Sequence, residues 1–195
     1  EVGRLGRKLY PNSFPCSDTI AELIDRHAQQ SGDALEVAKP NTTTAGRILS
    51  IRSFGKANFL VLSDGRVRIQ VYVRKDGLSA DDFALFKLLD FGDLIGIEGR
   101  LFRTRTDELT IWASRIEFLA KCLNPLPEKW HGLSDIEIRY RQRYLDLIVN
   151  PEARRVFEVR SRVLEGLRNF MNARQYLEVE TPMMQRIAGG ALARP

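Results

Sequence analysis

Residues 58–73 read NFLVLSDGRVRIQVYV, and this stretch decides the fold. Val67, Ile69, Val71 and Val73 alternate with Arg66, Arg68, Gln70 and Tyr72. That period of two belongs to a strand with one buried and one polar face. Asp64-Gly65 punctuates the run, so two strands are expected to meet at a tight turn there. Upstream, TTTAGRILSIRSF at 42–54 is rich in β-branched residues and predicts a first strand. Downstream, ADDFALFKLLDFGD at 80–93 carries Phe83, Phe86, Leu88 and Leu89 and predicts a short helix. DLIGIEGRLFRT at 93–104 predicts a fourth strand, whose Gly96 and Gly99 suit a sharp bend. ELTIWASRIEFLA at 108–120 predicts a fifth. Three strands, a helix and two strands is the order of the OB fold, a small barrel that binds oligonucleotides on its strand 2–3 face. An SH3-like barrel would produce similar text.

Around residues 42–120 the chain divides further. Residues 1–41 read as a leader with one helix, N-capped by Ser17, running to near Gln30 and ended by Gly32. ALEVAKPN at 34–41 then leads into the barrel. Residues 121–133 form a linker stiffened by Pro125 and Pro127. Residues 134–175 are helical. Ser134 and Glu137 fit a capping box, and Ile136, Tyr140, Arg143, Tyr144, Leu147 and Ile148 trace one face. Asn150-Pro151 restarts the pattern. Val156, Val159, Val163, Leu167, Phe170 and Met171 then make an amphipathic stripe on a helix reaching about Arg174. In YLEVETPMM at 176–184, Leu177 and Val179 alternate with Glu178 and Glu180, which predicts a strand stopped by Pro182. The chain ends at QRIAGGALARP without a terminating structure, and a start at Glu1 is read as residues missing upstream. The overall expectation is a mixed fold: a five-stranded OB barrel followed by the start of an α+β domain at 134–195.

Composition narrows the function classes. No apolar run approaches the roughly 20 residues needed to cross a bilayer, and no apolar segment follows the basic first residues as a secretory signal would. Net charge is +5 and the sequence pI is about 9.4, which fits a polyanionic partner, although many basic proteins bind no nucleic acid. Cys16 and Cys122 show no CxxC pattern and read as free thiols of a cytoplasmic chain. His27 and His131 have no cysteine or carboxylate at ligand spacing, so no metal site is expected. Arg139, Arg141 and Arg143 cannot share one helix face; at least one is expected to pair with a carboxylate rather than with RNA.

RYRQRYLDL at 139–147, preceded by HGL at 131–133, resembles the domain junction of class II lysyl-tRNA synthetases of bacterial type. VRSRVLEGLRNFM at 159–171 with YLEVETPMM resembles class II motif 1, a long helix leading to a strand that ends at a proline. GGALARP at 189–195 resembles the loop that follows it in this family. GKANFLVLSDGRVRIQVYV at 55–73 resembles the family's anticodon-binding barrel. Aspartyl- and asparaginyl-tRNA synthetases share the architecture, but RYRQRYLDL and GGALARP favour lysine.

The resemblance implies roles. Phe59 would be a stacking platform, and Gln70 and Arg52 would contact the central uridine of the tRNA-Lys anticodon. Where the family carries a glutamate late in the fifth strand, this sequence has Arg115, and Glu117, two residues on and on the same strand face, is the substitute. Arg66, Arg68 and Arg103, with Arg105, are phosphate-contact candidates; a solvated basic rim is the alternative for each. Val163, Leu167 and Pro182 would lie at a homodimer interface. Gly189, Gly190 and Ala191 would form the loop over the lysine substrate, with Ala188 in place of the family's frequent proline. The whole enzyme would use ATP and Mg²⁺ in the cytoplasm to join lysine to tRNA. Its catalytic residues would lie beyond this chain, leaving it inactive alone. Other readings remain: a stand-alone OB module for single-stranded nucleic acid, a synthetase-like protein repurposed for regulation, and an aspartyl- or asparaginyl-type enzyme.

Overall fold

The computed structural model of the chain describes residues 1–55, 57–124, 126–127 and 133–184. It comprises two compact units, Glu1–Pro127 and Glu128–Pro195.

The first unit is built on five strands: β1 (Asn41–Phe54), β2 (Ala57–Ser63), β3 (Arg68–Arg74), β4 (Leu94–Arg103) and β5 (Leu109–Ala120). They close into a barrel in the order β1-β2-β3-β5-β4. All ladders are antiparallel except β3–β5, which is parallel. The β2–β3 connection takes four residues rather than a two-residue turn. Asp64 Oδ1 accepts from the Arg66 and Val67 amides at 2.8 and 3.0 Å, and Gly65 supplies the φ of 99°. Alternation directs Ile69, Val71 and Val73 of β3 inward with Leu60, Leu62, Ile97 and Ile111. In β1 a register shift between Ile48 and Ser50 resets the alternation, so Ser50, Arg52 and Phe54 come to the outer face. A β-carbon at Gly99 would sit 2.2 Å from the Trp112 carbonyl oxygen, so β4 and β5 approach this closely only with glycine there.

Helix α3 (Ala80–Phe86) bridges β3 and β4. Its N-cap is Ser79, whose hydroxyl accepts from the Asp82 amide. Buried Asp82 pairs with Arg7 from the amino-terminal segment.

Residues 1–41 do more than lead into the barrel. Helix α1 (Ile20–His27) begins at Thr19, not Ser17. The Thr19 hydroxyl accepts from the Glu22 amide, and the Glu22 carboxylate accepts from the Thr19 amide, a complete capping box. Ser17 instead joins β1: its amide donates to the Thr43 carbonyl at 2.8 Å. Gly32 opens a second helix, α2 (Gly32–Ala38), N-capped by Ser31, where the sequence suggested only the end of the first. Ile20, Leu23 and Leu35 from these helices are buried in the barrel's hydrophobic cluster.

In the second unit, helix α4 (Ile136–Arg141) is capped by Asp135 rather than by a Ser134 box. The expected continuous helix breaks at Gln142, whose φ and ψ are −117° and 57°, and resumes as α5 (Arg143–Val149). The cause is Asp146, which is fully buried. It accepts from Arg139 Nε at 2.8 Å, from Asn150 Nδ2 at 2.6 Å and from Arg143, gathering both arginines to one point. Asn150 also donates to the Leu133 carbonyl. Helix α6 (Pro151–Asn172) has proline in its first turn, as expected. Residues 176–184 form no strand. A strand needs a partner's amides and carbonyls, and the strands among the described residues are all in the closed barrel.

Candidate nucleic-acid interface

The outer face of the barrel carries a band of aromatic rings, built by strand register. Arg52 of β1 lies opposite Phe59 of β2, Phe59 opposite Tyr72 of β3, and Tyr72 opposite Trp112 of β5. Ring centroids follow: Phe54–Phe59 6.3 Å, Phe59–Tyr72 5.0 Å, Tyr72–Trp112 5.3 Å and Trp112–Phe102 5.6 Å. These spacings are those of favourable aromatic pairs. Core leucines and valines fill the interior, so Phe59 is free to lie on the outer face, where it is partly buried.

Gln70 lies two residues from Tyr72 on the same face. Its Nε2 donates to Glu108 Oε2 at 2.9 Å, and the Thr110 hydroxyl lies 3.1 Å from its Oε1. The amide is thus held at both ends by the parallel β3–β5 pairing, with a second N–H and a second lone pair left for another partner. Arg68 stands on β3 two residues before Gln70, exposed. Arg66 lies in the β2–β3 turn.

Other anticipated residues fall elsewhere. Arg103 is a structural residue: its guanidinium donates to the carbonyls of Ala28, Gln30 and Asp107 and closes the end of α1, leaving little of it for a phosphate. Arg105 is exposed in the β4–β5 turn. Glu117 does not join Gln70. It lies seven residues along β5 from Thr110, roughly 23 Å at 3.3 Å per residue. Its carboxylate takes Arg115 at 3.1 Å and has Arg7 3.8 Å away. Arg115 also pairs with Glu98 at 2.9 Å, in a salt-bridge group three residues along β5 from Trp112 and away from Gln70. The carboxylate beside Gln70 is Glu108, which the sequence reading passed over; so were Tyr72, Trp112 and Phe102. Their signal was outward phase on strands already identified, but the lateral neighbours depend on barrel closure.

Val163 and Leu167 are exposed on α6, as are Val156, Val159 and Phe170 on the same helix; Pro182 lies in the irregular segment after it. Gly189, Gly190 and Ala191, like Ala188, lie outside the described residues. Among the described residues no helix is long and apolar enough to cross a membrane.

The face offers flat rings for stacking, a fixed amide for base edges and guanidinium groups for phosphates. Together these are the chemistry of single-stranded RNA recognition. Two family models match. Residues 42–119 match an OB-fold nucleic acid binding domain, and residues 135–195 match class II tRNA synthetases (D, K and N). Among similar curated proteins is one named lysine–tRNA ligase from Pelotomaculum thermopropionicum, 52% identical over 195 residues, covering 100% of this chain and 37% of that protein. Proteins of the same name from Carboxydothermus hydrogenoformans (47% identical over 195 residues) and Methanoculleus marisnigri (46% over 196 residues) likewise cover 100% of this chain and 38% of their own length. The chain therefore spans less than two fifths of the curated relatives it matches.

Proposed function

We propose that the chain belongs to the class II tRNA synthetases of the aspartate, lysine and asparagine type and is part of a cytoplasmic lysine–tRNA ligase in which residues 42–120 bind the anticodon of tRNA-Lys. One observation carries the anticodon reading: Phe59 and Gln70 share an outward face on which Gln70 is anchored to Glu108. The central anticodon uridine stacks on Phe59, and Gln70 and Arg52 reach its Watson–Crick edge. Glu108, in place of Glu117, is the glutamate of the reading face, and it fixes the Gln70 amide. Arg66 and Arg68 approach the backbone phosphates and add affinity without sequence information.

In the whole protein, ATP and Mg²⁺ serve lysine activation, and Gly189, Gly190 and Ala191 close over lysine. Among the described residues no three His, Cys, Asp or Glu side chains group as metal ligands. The exposed stripe containing Val163 and Leu167, with Pro182, is the homodimer surface. An apolar face of that length in water is a surface that favours a partner.

The test is binding of this chain to an anticodon stem-loop bearing UUU, against one with a changed central base, across a salt series. The reading predicts tighter binding to UUU that is lost in Phe59→Ala and Gln70→Ala. Equal affinity for both loops, with a steep salt slope, would reduce the face to a basic OB surface.

A further inference from the structure

Away from the reading face, the turn between α3 and β4 holds a carboxylate with no exposed surface. Asp93 is fully buried. Its Oδ1 accepts from the Cys122 amide at 2.8 Å, and its Oδ2 accepts from the Asp90 amide at 2.8 Å and from Lys121 Nζ at 2.9 Å. Lys121 also donates to Asp90 and to the Leu88 carbonyl. Lys121 and Cys122 follow directly on β5, so the chain leaves the barrel fastened to this turn. The fit is close: a β-carbon at Gly92 would lie 2.7 Å from Cys122 Sγ. The backbone of the same turn grips β1. The Ile48 amide donates to the Asp93 carbonyl at 2.9 Å, the Gly92 amide donates to the Ile48 carbonyl at 2.8 Å, and Arg47 Nη1 donates to the Gly92 carbonyl at 2.8 Å. Ile48 is the last residue before Leu49, the extra residue of the β1 bulge. Without that bulge, the phase that buries Thr42, Thr44 and Ile48 would turn Arg52 inward.

We infer that Asp93 is a positioning residue for anticodon discrimination, and that it joins the register of β1 at Arg52 to the anchorage of the linker at Lys121 and Cys122. Two amides converge on it from separate parts of the chain, Ile48 on its carbonyl and Cys122 on its carboxylate. A turn that only closed α3 onto β4 would need neither. A segment held from both sides opens as one unit. When Lys121 lets go, a buried carboxylate is left without its cation, and the turn that clamps Ile48 shifts with it. Loosening at Ile48 frees the bulge, and the end of β1 that carries Arg52 loses its fixed aim. By linkage the effect runs both ways: an RNA loop held by Arg52 steadies the linker anchor. Asp93 touches no RNA and acts through Ile48. Its part in RNA choice rests on the reading that Arg52 contacts the anticodon.

Lys121→Met is the decisive variant. The side-chain hydrogen bonds of Lys121 go to Leu88, Asp90 and Asp93, none of them on β1 or the reading face. The change keeps the side chain long and removes its charge. Amide hydrogen exchange is measured on the full chain, together with affinity for the UUU stem-loop and for the loop with a changed central base. Exchange is expected to quicken at Cys122 and at Ile48 together. The preference for the UUU loop should fall about twofold to fivefold, the lower range for residues that couple two places. Lys121→Met combined with Arg52→Ala should lose no more preference than Arg52→Ala alone. In turn, the UUU loop should slow exchange at the Cys122 amide of the unaltered chain but not of Arg52→Ala. Asp93→Asn should act in the same direction and more strongly; if it fails to fold, Lys121→Met decides. Quicker exchange at Cys122 alone, with Ile48 and the loop preference as they were, would mean that the turn only fastens the linker, and the positioning role is overturned. The anticodon reading fails on different data. Arg52→Ala and Phe59→Ala without effect on either loop would overturn it, and Asp93's part in RNA choice with it, while paired exchange at Ile48 and Cys122 would still register the joint.

Discussion

Gln70 and Glu108 stand 38 residues apart in the chain and meet through a 2.9 Å hydrogen bond from β3 to the residue that immediately precedes β5. The bond fixes which way the glutamine amide faces, and Thr110, fully buried, approaches its other end. A reading amide that could flip would present donor and acceptor alike and discriminate poorly.

Removing the anchor should therefore cost selectivity before affinity. Glu108→Ala and Thr110→Val are expected to reduce the preference for the UUU loop over the changed loop by about fivefold, roughly one hydrogen bond at an exposed carboxylate or at a hydroxyl. Overall affinity at low salt should change less than twofold. Parallel titrations of both loops check this; an undiminished preference in Glu108→Ala would detach the carboxylate from base choice.

The second unit depends on Asp146. Burial pushes its carboxyl up, but hydrogen bonds from Asn150 and Arg139, and the charges of Arg139 and Arg143, outweigh burial and hold it below the usual aspartate range. A carboxyl lowered in the folded state stabilises above its unfolded value and loses that stabilisation as pH falls through the folded one. The helical signal of the second unit should therefore weaken as pH drops below about 3.9, the ordinary aspartate value. Asp146→Asn should lower its stability by about 2 kcal/mol at neutral pH, a value reduced because both arginines are partly exposed. Circular dichroism melts at pH 7 and pH 3 test both statements.

Barrel closure sets a steric limit at Gly99. Alanine there would drive a methyl group against the Trp112 carbonyl, 2.2 Å away. Because the obstacle is backbone, β4 and β5 must part, and a loss of about 1–3 kcal/mol is expected. Denaturant midpoints with unchanged slope would register it.

The cap on α1 is worth less but is cleaner to measure. Thr19→Ala removes one half of a complete capping box and is expected to cost about 1 kcal/mol. The same change at Ser17, hydrogen-bonded to Asp18 and the Thr43 amide rather than to a helix end, should leave α1 intact in amide hydrogen exchange.

On α6, the substitutions Val163→Glu and Leu167→Glu place charges on the exposed stripe. If this is the dimer surface, sedimentation of the whole protein should shift from dimer to monomer while the barrel's melting temperature stays unchanged. A dimer that survives both charges would remove α6 from the interface.

Much of the barrel could be read from text because its signals are local. Val67 to Val73 announce their own alternation, and Asp64-Gly65 announces a turn. Pro151 marked the start of α6 for the same reason. The helix over Gly32–Ala38 is hidden in the text because glycine reads as a stop, while Ser31 beside it is the cap that starts the next helix. Thr19-Ile20-Ala21-Glu22 carried a legible box that the nearer attraction of Ser17 obscured. Leu177 and Val179 alternate as a strand would, yet alternation supplies no hydrogen-bond partners, and both remain exposed. Phe59 and Gln70 were named through resemblance. Their neighbours Glu108, Trp112 and Phe102 were not, because which side chains lie abreast depends on the β3–β5 and β4–β5 registers, and those are long-range facts.

The parallel pairing of β3 with β5 has a kinetic meaning as well. Contacts between segments this distant in sequence carry a loop-closure cost and tend to form late in folding. Gln70 and Glu108 come together only when the β3–β5 gap shuts, so a chain with an open barrel has no reading face to offer. Ligand that binds only the shut form pulls the population toward it by mass action. The RNA loop would then act as a latch on the barrel, and the rate at which freshly folded chains acquire loop-binding capacity would time the closing of that gap.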